Sequence, residues 1–399
     1  MEGIPVKEAA ARWGVSQRSV QRLLKEGRIR GAKKFGGSWI VPVGAEKPAE
    51  LRKKRRSARR VPSPYLPCTL LTSSIPLPPN EEEFLLSLDD DLRAQYANEL
   101  AYLRGDCGPA KDHFWSVAPG ERTFLCSCAI TLSAAISSGD YALYSEAASS
   151  LRRVARGMDS DAGLTAEAAL VTSTISMFDR THLPFWLQEG DLLAFPPEGR
   201  PWAMYLHAKY LQNLRQFQPM LDVARTALHL CSRPEGVTLL DIYLRLMCAA
   251  ACCGLKDWEG TGRWLSEALA AALPQGFVMP FAETILTYGG VLESRLLTDW
   301  PQHHEQITEM AEGVWKNWLA FHNRFTRDNI SLVLTTQEQI LAQHIAEGVS
   351  CAGAALRMRL SLNRTRKLLT SVYSKLRIRN WRDLRHIISP LQPSEDASS

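Results

Sequence analysis

The sequence predicts a mainly α-helical protein of several domains, with one small β-hairpin near its N-terminus. Three observations support this prediction. Apolar residues recur at helical spacing along most of the chain after residue 80. A length of 399 residues exceeds what one ordinary core can bury. A basic and proline-rich stretch separates the first 46 residues from the rest.

Charge is distributed unevenly along the chain. The net charge is +5, but residues 1–60 carry 17 Lys and Arg against 5 Asp and Glu, and residues 331–390 carry 10 against 3. The stretch between these two basic ends is therefore acidic. This pattern favours termini that contact phosphate and a centre that does not.

Residues 4–42 have the order helix, tight turn, helix and two strands. Pro5 fits the first position of a helix, Gly14 fits the turn, and Ser16 fits the N-cap of the second helix. Strands over residues 30–35 and 38–42 meet at a glycine pair that is typical of a hairpin. This order predicts a winged helix-turn-helix whose second helix enters the major groove of DNA.

Residues 1–46 closely resemble the excisionase/MerR-type helix-turn-helix family. The resemblance implies that Ser16, Arg18, Ser19 and Arg22 contact DNA, with Lys33 and Lys34 on the wing. Trp39 is expected to pack the wing onto the second helix. The alternative interpretation is a small helical cap with solvated arginines. The matching segments are Pro5–Ala10, Gly14–Ser16, Leu23–Gly31 and Gly36–Trp39.

Residues 47–80 are predicted to form a linker. Seven positive charges fall within residues 52–60, and six prolines follow before residue 80. Repulsion between like charges and the missing N–H groups of proline oppose helix and sheet, which favours a flexible tether. The tether either neutralises phosphates without sequence preference or serves only as a solvated spacer.

Residues 81–325 are predicted to form an α-helical repeat domain. Gly105-Asp106 recurs as Gly139-Asp140 34 residues later, and Phe217 recurs as Trp258 41 residues later. Such periods are typical of stacked helical hairpins. The units resemble tetratricopeptide repeats, and residues 265–281 resemble the helical repeats of large regulators related to the maltose-regulon activator. We expect this domain to sense a signal or dock a partner, with a protein or a small molecule as effector.

No catalytic, metal or cofactor site is predicted. The phosphate-binding string Gly-x-x-x-x-Gly-Lys-Ser/Thr is missing, as are Gly-x-Ser-x-Gly, His-Glu-x-x-His and any Cys-x-x-Cys pair. Residues 303–305 (His-His-Glu) are interpreted as surface residues, and residues 89–91 (Asp-Asp-Asp) as a solvated helix start. The aromatic residues at 178, 185, 186, 195, 202 and 205 line either a ligand pocket or, more often in such patterns, the core. We therefore expect a binding protein and not an enzyme.

The sequence also predicts the cellular location. No apolar run approaches the roughly 18 residues of a membrane-spanning helix, and the N-terminus lacks a secretory signal pattern. The expected location is cytoplasmic and nucleoid-associated, without contact to a membrane. The cysteines lie beside small residues and are expected to be reduced and buried in helices.

Residues 331–390 are predicted to contain four helices. Thr335 and Glu338 have the spacing of a capping box, and Gly348 ends the first helix. A short helix covers residues 350–357, Ser361 caps a longer one, and an amphipathic helix covers residues 382–388. In the third helix, Leu368, Leu369, Val372 and Leu376 are expected to face inward.

This region resembles the LuxR-type helix-turn-helix domain over about 55 residues. Arg364, Arg366, Lys367 and Lys375 of the third helix are expected to face outward and to contact DNA. The resemblance implies that residues 362–375 lie in the major groove, with Arg366 and Lys367 near bases or phosphates, and that the last helix forms a homodimer contact. The chain departs from the family at Cys351-Ala352-Gly353, Arg364-Thr365, Leu368 and Arg377, which puts the groove contacts in doubt. A module that docks a partner and no longer binds DNA is the alternative.

The sequence thus predicts a sequence-specific regulator of bacterial transcription that binds double-stranded DNA through two helix-turn-helix modules. Residues 391–399 are expected to be a disordered tail. Two other functions remain open: an excisionase-like architectural or recombination factor, and a helical-repeat scaffold that the terminal modules localise to DNA.

Overall fold

The computed structural model describes residues 3–13, 15, 17, 20–21, 24, 29, 31–35, 38–45, 69, 71–72, 76–77, 80–156, 161–177, 183–231, 236–326, 334–376 and 378–388. Within these ranges 77% of the residues are helical, in 19 α-helices, and one three-stranded sheet is present. The prediction of a mainly α fold is confirmed. The chain forms two compact units, residues 1–61 and 62–399, whose boundary falls inside the predicted linker.

The first unit contains a helix and a three-stranded antiparallel sheet. Its elements are β1 (Gly3–Pro5), α1 (Val6–Trp13), β2 (Lys33–Phe35) and β3 (Ser38–Pro42). The strand order is β1-β3-β2, with Ile4 opposite Val41 and Lys34 opposite Trp39. The sequence predicted only the β2–β3 hairpin. Pro5 ends a strand directly before the helix and does not open the helix.

A small core holds the first unit together. Ala9 and Ala10 of α1, Val20, Leu24, Ile29 and Val41 are all buried. Val20 and Leu24 are four residues apart, as are the exposed Gln17 and Gln21. This spacing is that of a helix with one buried face, as predicted for the second helix.

Helices dominate the second unit. In chain order they are α2 (Glu81–Leu86), α3 (Asp90–Leu103), α4 (Gly108–Ser116), α5 (Phe124–Ser138), α6 (Tyr141–Ala155), α7 (Asp161–Ser176), α8 (Phe185–Glu189), α9 (Arg200–Asn213), α10 (Phe217–Cys231), α11 (Leu239–Gly254), α12 (Trp258–Ala272), α13 (Met279–Thr284), α14 (Val291–Asp299), α15 (Pro301–Thr326), α16 (Thr336–Ala346), α17 (Cys351–Arg357), α18 (Leu362–Leu376) and α19 (Trp381–Ile388).

Consecutive helices pack in pairs across the turns that the repeat pattern identified. Helices α5 and α6 meet at Gly139, which takes the left-handed conformation, and Asp140, whose carboxylate accepts a hydrogen bond from the Leu143 N–H. Helices α11 and α12 meet at Asp257, whose carboxylate accepts from the Gly260 N–H at 2.9 Å. The turn signals at these positions are therefore helix caps. Asp89 has the same role at the start of α3, as predicted.

The long helix α15 closes the ends of two other helices. Asn317 donates to the Ser137 carbonyl at the end of α5, and Trp318 donates to the Ser176 carbonyl at the end of α7, both at 2.8 Å. The last carbonyl groups of a helix have no partner within that helix. The side chains of α15 supply those partners and fix the helix ends in place.

The helices from α3 to α15 contain two main hydrophobic cores, one that includes Leu100 of α3 and Ala311 of α15 and another that includes Phe114 of α4, Leu151 of α6 and Phe321 of α15. Cys126, Cys128, Cys231, Cys248 and Cys252 lie buried on helices, as predicted, whereas Cys107, Cys253 and Cys351 are only partly buried. Of the aromatic residues that could form core or pocket, Trp186, Phe195, Trp202 and Tyr205 are buried and Phe185 is exposed, whereas Phe178 lies outside the described residues.

Candidate nucleic-acid interface

The C-terminal module, residues 334–388, supports α18 on a core of its own. Leu341 of α16, Ala354 of α17, Val372 of α18 and Leu384 of α19 are all buried in this core. The predicted capping box is present at the start of α16. The Glu338 N–H donates to the Thr335 hydroxyl at 3.3 Å, and the Thr335 N–H donates to the Glu338 carboxylate at 2.8 Å.

A short turn connects α17 to α18. Ser350 caps α17 by accepting from the Gly353 N–H at 3.1 Å, and Ser361 caps α18 by accepting from the Arg364 N–H at 3.3 Å. A Cβ atom at position 353 would lie 3.1 Å from the Val349 side chain, which is tighter than an ordinary contact. This crowding gives a physical reason for the glycine where the sequence departs from the LuxR-type pattern.

One face of α18 points to solvent and carries groups that suit DNA. Arg366 and Lys367 are exposed, and neither forms an ion pair with a described residue. Arginine and asparagine can bond to base edges, and lysine suits phosphate. We call this set of exposed side chains the reading face: Asn363, Arg366, Lys367, Thr370 and Ser374.

The predicted site residues fall into three groups within this module. Arg366 and Lys367 lie on the reading face. Arg364 is exposed beside it, with its guanidinium 3.3 Å from the Gln337 side-chain oxygen. Lys375 departs from the prediction of an outward-facing cation, because its ammonium group bonds the Glu338 carboxylate at 2.6 Å.

The bond to Lys375 neutralises a buried charge. The Glu338 side chain is only 4% exposed, and it also accepts from the Ser371 hydroxyl at 2.6 Å. Burial alone would raise the pKa of Glu338, but the hydrogen bonds from Lys375, Ser371 and Thr335 outweigh it and hold the pKa below its usual value. Lys375 is therefore part of the structure that carries α18.

Two departures from the family pattern turn out to face the core. Thr365 is buried and donates its hydroxyl to the Ser361 carbonyl at 3.1 Å, and Leu368 is half-buried against the core of the module. Neither residue belongs to the reading face. Asn363, Thr370 and Ser374 do, although none of them was among the DNA contacts expected from the sequence. Thr370 and Ser374 follow Asn363 by seven and eleven residues, and this helical spacing is the signal that identifies them.

The C-terminal module packs on the rest of the second unit through a different face. His344 is buried and its Nε2 lies 2.8 Å from the Gly289 carbonyl. Burial lowers the pKa of His344, so the neutral ring donates this bond. Thr336 of the same helix donates its N–H to the Glu312 carboxylate at 3.0 Å.

Two arginines complete this contact. The guanidinium of Arg357 lies 4.5 Å from the centre of the Trp258 ring, and Arg359 donates to the Thr298 hydroxyl at 2.6 Å. Met358 packs directly on Gly290. We call this set the docking face: Thr336, His344, Arg357, Met358 and Arg359. Docking leaves Arg366 and Lys367 exposed.

The last helix, α19, was predicted to contact a second copy of the chain. Leu384 and Ile388 are buried in the module and cannot form that contact. The exposed side chains of α19 among the described residues are Trp381, which is 45% exposed beneath the Arg382 guanidinium, Arg382 itself and Arg385. A dimer contact through α19 would be centred on Trp381.

In the first unit, Lys33 and Lys34 are exposed on β2, at the edge of the sheet. This position suits the predicted wing. The other predicted DNA contacts, Ser16, Arg18, Ser19 and Arg22, lie outside the described residues. So do Gly14, the Gly36-Gly37 turn, the predicted tail from residue 391, Arg377 and most of the predicted linker.

The described ranges contain no group of three His, Cys, Asp or Glu side chains arranged to hold a metal ion. None of their helices is both long and apolar enough to cross a membrane.

Comparisons with protein-family models, with curated protein sequences and with solved structures find no match to this chain. The resemblances to helix-turn-helix families therefore stay predictions.

Proposed function

We propose that this chain is a sequence-specific DNA-binding regulator of transcription and that α18 reads the major groove. The observation that carries the proposal is the reading face: five exposed polar side chains along one side of a helix that is fixed by capped turns and a buried core. A helix of 15 residues is about 22 Å long, and the major groove admits a helix.

The side chains of the reading face are expected to contact different parts of DNA, according to their chemistry. Asn363 and Arg366 can each make two hydrogen bonds to a base, to adenine and guanine respectively. Lys367 is a point charge that suits a phosphate, and the hydroxyl of Thr370 can bond either a base or the backbone. Arg364 lies beside the start of the helix, where a second phosphate contact is expected.

The first unit acts as a second DNA-binding module in this proposal. Its sheet presents Lys33 and Lys34 as a wing, and Arg18 and Arg22 enter from the second helix. Two modules on one chain gain affinity because binding of the first raises the effective concentration of the second. The repeat domain between them senses a signal or docks a protein. Such a regulator acts in the cytoplasm, at the nucleoid.

A homodimer through α19 is part of the same proposal. Two copies related by a twofold axis would read two half-sites in opposite orientation. Trp381→Ala should convert a dimer into a monomer in analytical ultracentrifugation without loss of helical signal. An unchanged mass would remove α19 as the dimer contact.

Selection from a random duplex library tests the main proposal, because it needs no knowledge of the target. The intact protein should enrich one sequence and bind it at least about 1,000-fold more tightly than a scrambled duplex. Arg366→Ala with Lys367→Ala should weaken binding to that sequence at least about tenfold. The same change should reduce the slope of log affinity against log salt by up to about 2.

Arg225→Ala with Lys316→Ala is a matched control. Both residues are exposed on helices of the repeat domain, and the pair removes the same charge. The affinity of this control variant for the selected duplex should equal that of the wild type. A parallel variant, Arg18→Ala with Arg22→Ala, tests the first unit in the same way.

Three outcomes would contradict parts of the proposal. Enrichment of no sequence, with a steep salt slope on every duplex, would favour the scaffold. Loss of binding in the Arg18/Arg22 variant alone would leave the C-terminal module as a docking domain. A sharply bent specific complex that leaves transcription from adjacent promoters unchanged would favour an architectural factor.

A further inference from the structure

One leucine of α18 lies outside the core of the C-terminal module. Three of the four leucines of this helix, Leu368, Leu369 and Leu376, pack against that core. The fourth, Leu362, is 38% exposed and is not among the side chains packed there. What Leu362 can contact is therefore decided by its position on the surface of the helix.

Leu362 is the first residue of α18 and begins the row of side chains to which Arg366 and Thr370 belong. Side chains four residues apart lie on the same face of a helix, one turn after another. Arg366 and Thr370 are exposed members of the reading face, and Asn363 of the same face follows Leu362 directly. Leu362 is thus an apolar side chain at the N-terminal end of a polar and basic surface.

Hydrogen bonds to Ser361 fix the first turn of α18. The Ser361 hydroxyl accepts from the Arg364 N–H at 3.3 Å, and the Ser361 carbonyl accepts from the Thr365 hydroxyl at 3.1 Å. Thr365 itself is fully buried. The backbone of Leu362 lies within this turn, so a contact made by its side chain requires little further ordering of the chain.

The neighbours of Leu362 determine what kind of partner can cover it. The docking face uses α17 and the turn after it, and Leu362 stays exposed beside that contact. A partner that covers Leu362 also covers Asn363 and Arg366, because all three are adjacent on the helix surface. An apolar protein surface would leave the arginine charge buried without a partner, which is costly. The edges of DNA bases supply acceptors for both polar side chains.

The bases present a single apolar group in the major groove, the 5-methyl group of thymine. A leucine cannot bond to the donors and acceptors of the other base edges, and covering them would leave them unsatisfied. Leu362 and Arg366 are separated by a helical rise of about 6 Å, and successive base pairs by about 3.4 Å. The base next to Leu362 therefore lies within about two base pairs of the base that Arg366 contacts.

We propose that Leu362 recognises the methyl group of a thymine within about two base pairs of the guanine that Arg366 contacts. Leu362 has this role only if α18 reads DNA, so the assignment rests on the proposed function. It adds to that function an apolar specificity determinant and a second base of the target sequence.

Replacement of thymine by deoxyuridine tests the role of Leu362, because it removes the methyl group and keeps every hydrogen-bonding group of the base pair. The duplex is the sequence that the full chain enriches from the random library, with each thymine replaced in turn. One replacement should weaken binding by the wild type about fourfold, the effect of leaving one carbon-sized apolar group unburied. Leu362→Ala should bind the thymine and deoxyuridine duplexes equally at that position.

Leu356→Ala is the matched control. Leu356 is 81% exposed on α17, outside the reading face, and the variant loses the same side chain. It should keep the affinity of the wild type and the fourfold dependence on the methyl group. Arg366→Ala should lose the preference for the nearby guanine and still depend on the methyl group. Circular dichroism confirms that each variant is folded.

Three results would overturn the role of Leu362 and leave the proposed function standing. The first is a selected sequence without a thymine within about two base pairs of the guanine that Arg366→Ala ceases to prefer. The second is equal binding of the thymine and deoxyuridine duplexes by the wild type. The third is a fourfold dependence on the methyl group that persists in Leu362→Ala. Enrichment of no sequence at all would instead refute the proposed function, and the role of Leu362 with it.

Discussion

The docking face and the reading face of the C-terminal module use the same kinds of side chain in opposite ways. On the docking face, Arg357 lies over Trp258 and Arg359 bonds Thr298. On the reading face, Arg366 and Lys367 extend into solvent. The partners of the docking arginines come from 99 and 61 residues earlier in the chain. Basic residues close together in sequence therefore differ in role because of distant neighbours, and only the fold reveals which ones remain available to bind DNA.

The largest loss of stability is expected from a substitution that introduces a side chain inside the contact made by the docking face. Gly290 has a φ of +87°, and a Cβ atom there would lie 3.2 Å from the Met358 Cα. Gly290→Val adds backbone strain and overpacking, so the free energy of unfolding should fall by about 3 kcal/mol. Urea denaturation measures the loss, and hydrogen exchange should show faster exchange in α16 and α17.

Gly313 on α15 provides the control. A Cβ atom there meets no other atom within 4 Å, and the residue lies within a helix. Gly313→Ala should raise the free energy of unfolding by about 0.5–1 kcal/mol. If Gly290→Val unfolded at the same urea concentration as the wild type, the docking contact would not be a close-packed one.

The second effect concerns pH and a buried carboxyl group on the helix that follows Gly290. Glu293 is 7% exposed, one of its oxygens has no hydrogen-bond partner among the described residues, and burial raises its pKa to about 7. The folded chain holds this proton more tightly than the unfolded chain. The contribution of Glu293 to stability is therefore complete below about pH 4.5 and declines by about 3 kcal/mol as the pH rises to 7.

The contribution of His344 to stability depends on pH in the opposite direction. Its pKa is lowered in the folded chain, so its contribution to stability is lost as the pH falls below the usual histidine value of 6.5. Glu293→Gln should therefore abolish the decline between pH 4.5 and 7 and leave the rise from His344. Denaturation at several pH values measures both slopes. Parallel curves for the variant and the wild type would show that Glu293 is already ionised at pH 5.

The sequence predicted features that depend on neighbours along the chain. The capping box of Thr335 and Glu338, the N-cap at Ser361 and the mainly helical fold were predicted and confirmed. These features obey local spacing rules. Contacts between distant residues could not be predicted in this way. Examples are the pairing of the strand at Gly3–Pro5, the bond of Lys375 to Glu338 and the docking of His344 on Gly289. Each of these contacts joins residues that are far apart in the sequence and that only the folded chain brings together.

The third-largest effect on stability is expected from a substitution at Lys375. It distinguishes cations of α18 that support the structure from cations that bind DNA. Lys375→Met leaves the buried Glu338 with one partner fewer, and the free energy of unfolding should fall by about 1–2 kcal/mol because the ammonium group is one third exposed. Lys367→Met, the same replacement on the exposed reading face, should change stability by less than about 0.5 kcal/mol. Equal stability of the two variants would place Lys375 among the cations that serve DNA alone.

The smallest effect on stability is expected for substitutions on the reading face. These substitutions test most directly whether the reading face and the docking face have different roles. Arg366→Ala with Lys367→Ala should change the free energy of unfolding by no more than about 0.5 kcal/mol, because neither side chain has a described ion-pair partner. Arg357→Ala with Arg359→Ala removes the same charge from the docking face. It should cost about 1–2 kcal/mol, since it deletes a cation–π contact and a hydrogen bond of 2.6 Å. DNA affinity should show the reverse order, with the larger loss in the Arg366/Lys367 variant. If both pairs lowered stability and affinity to the same extent, the two faces would not be distinct, and charge alone would account for binding.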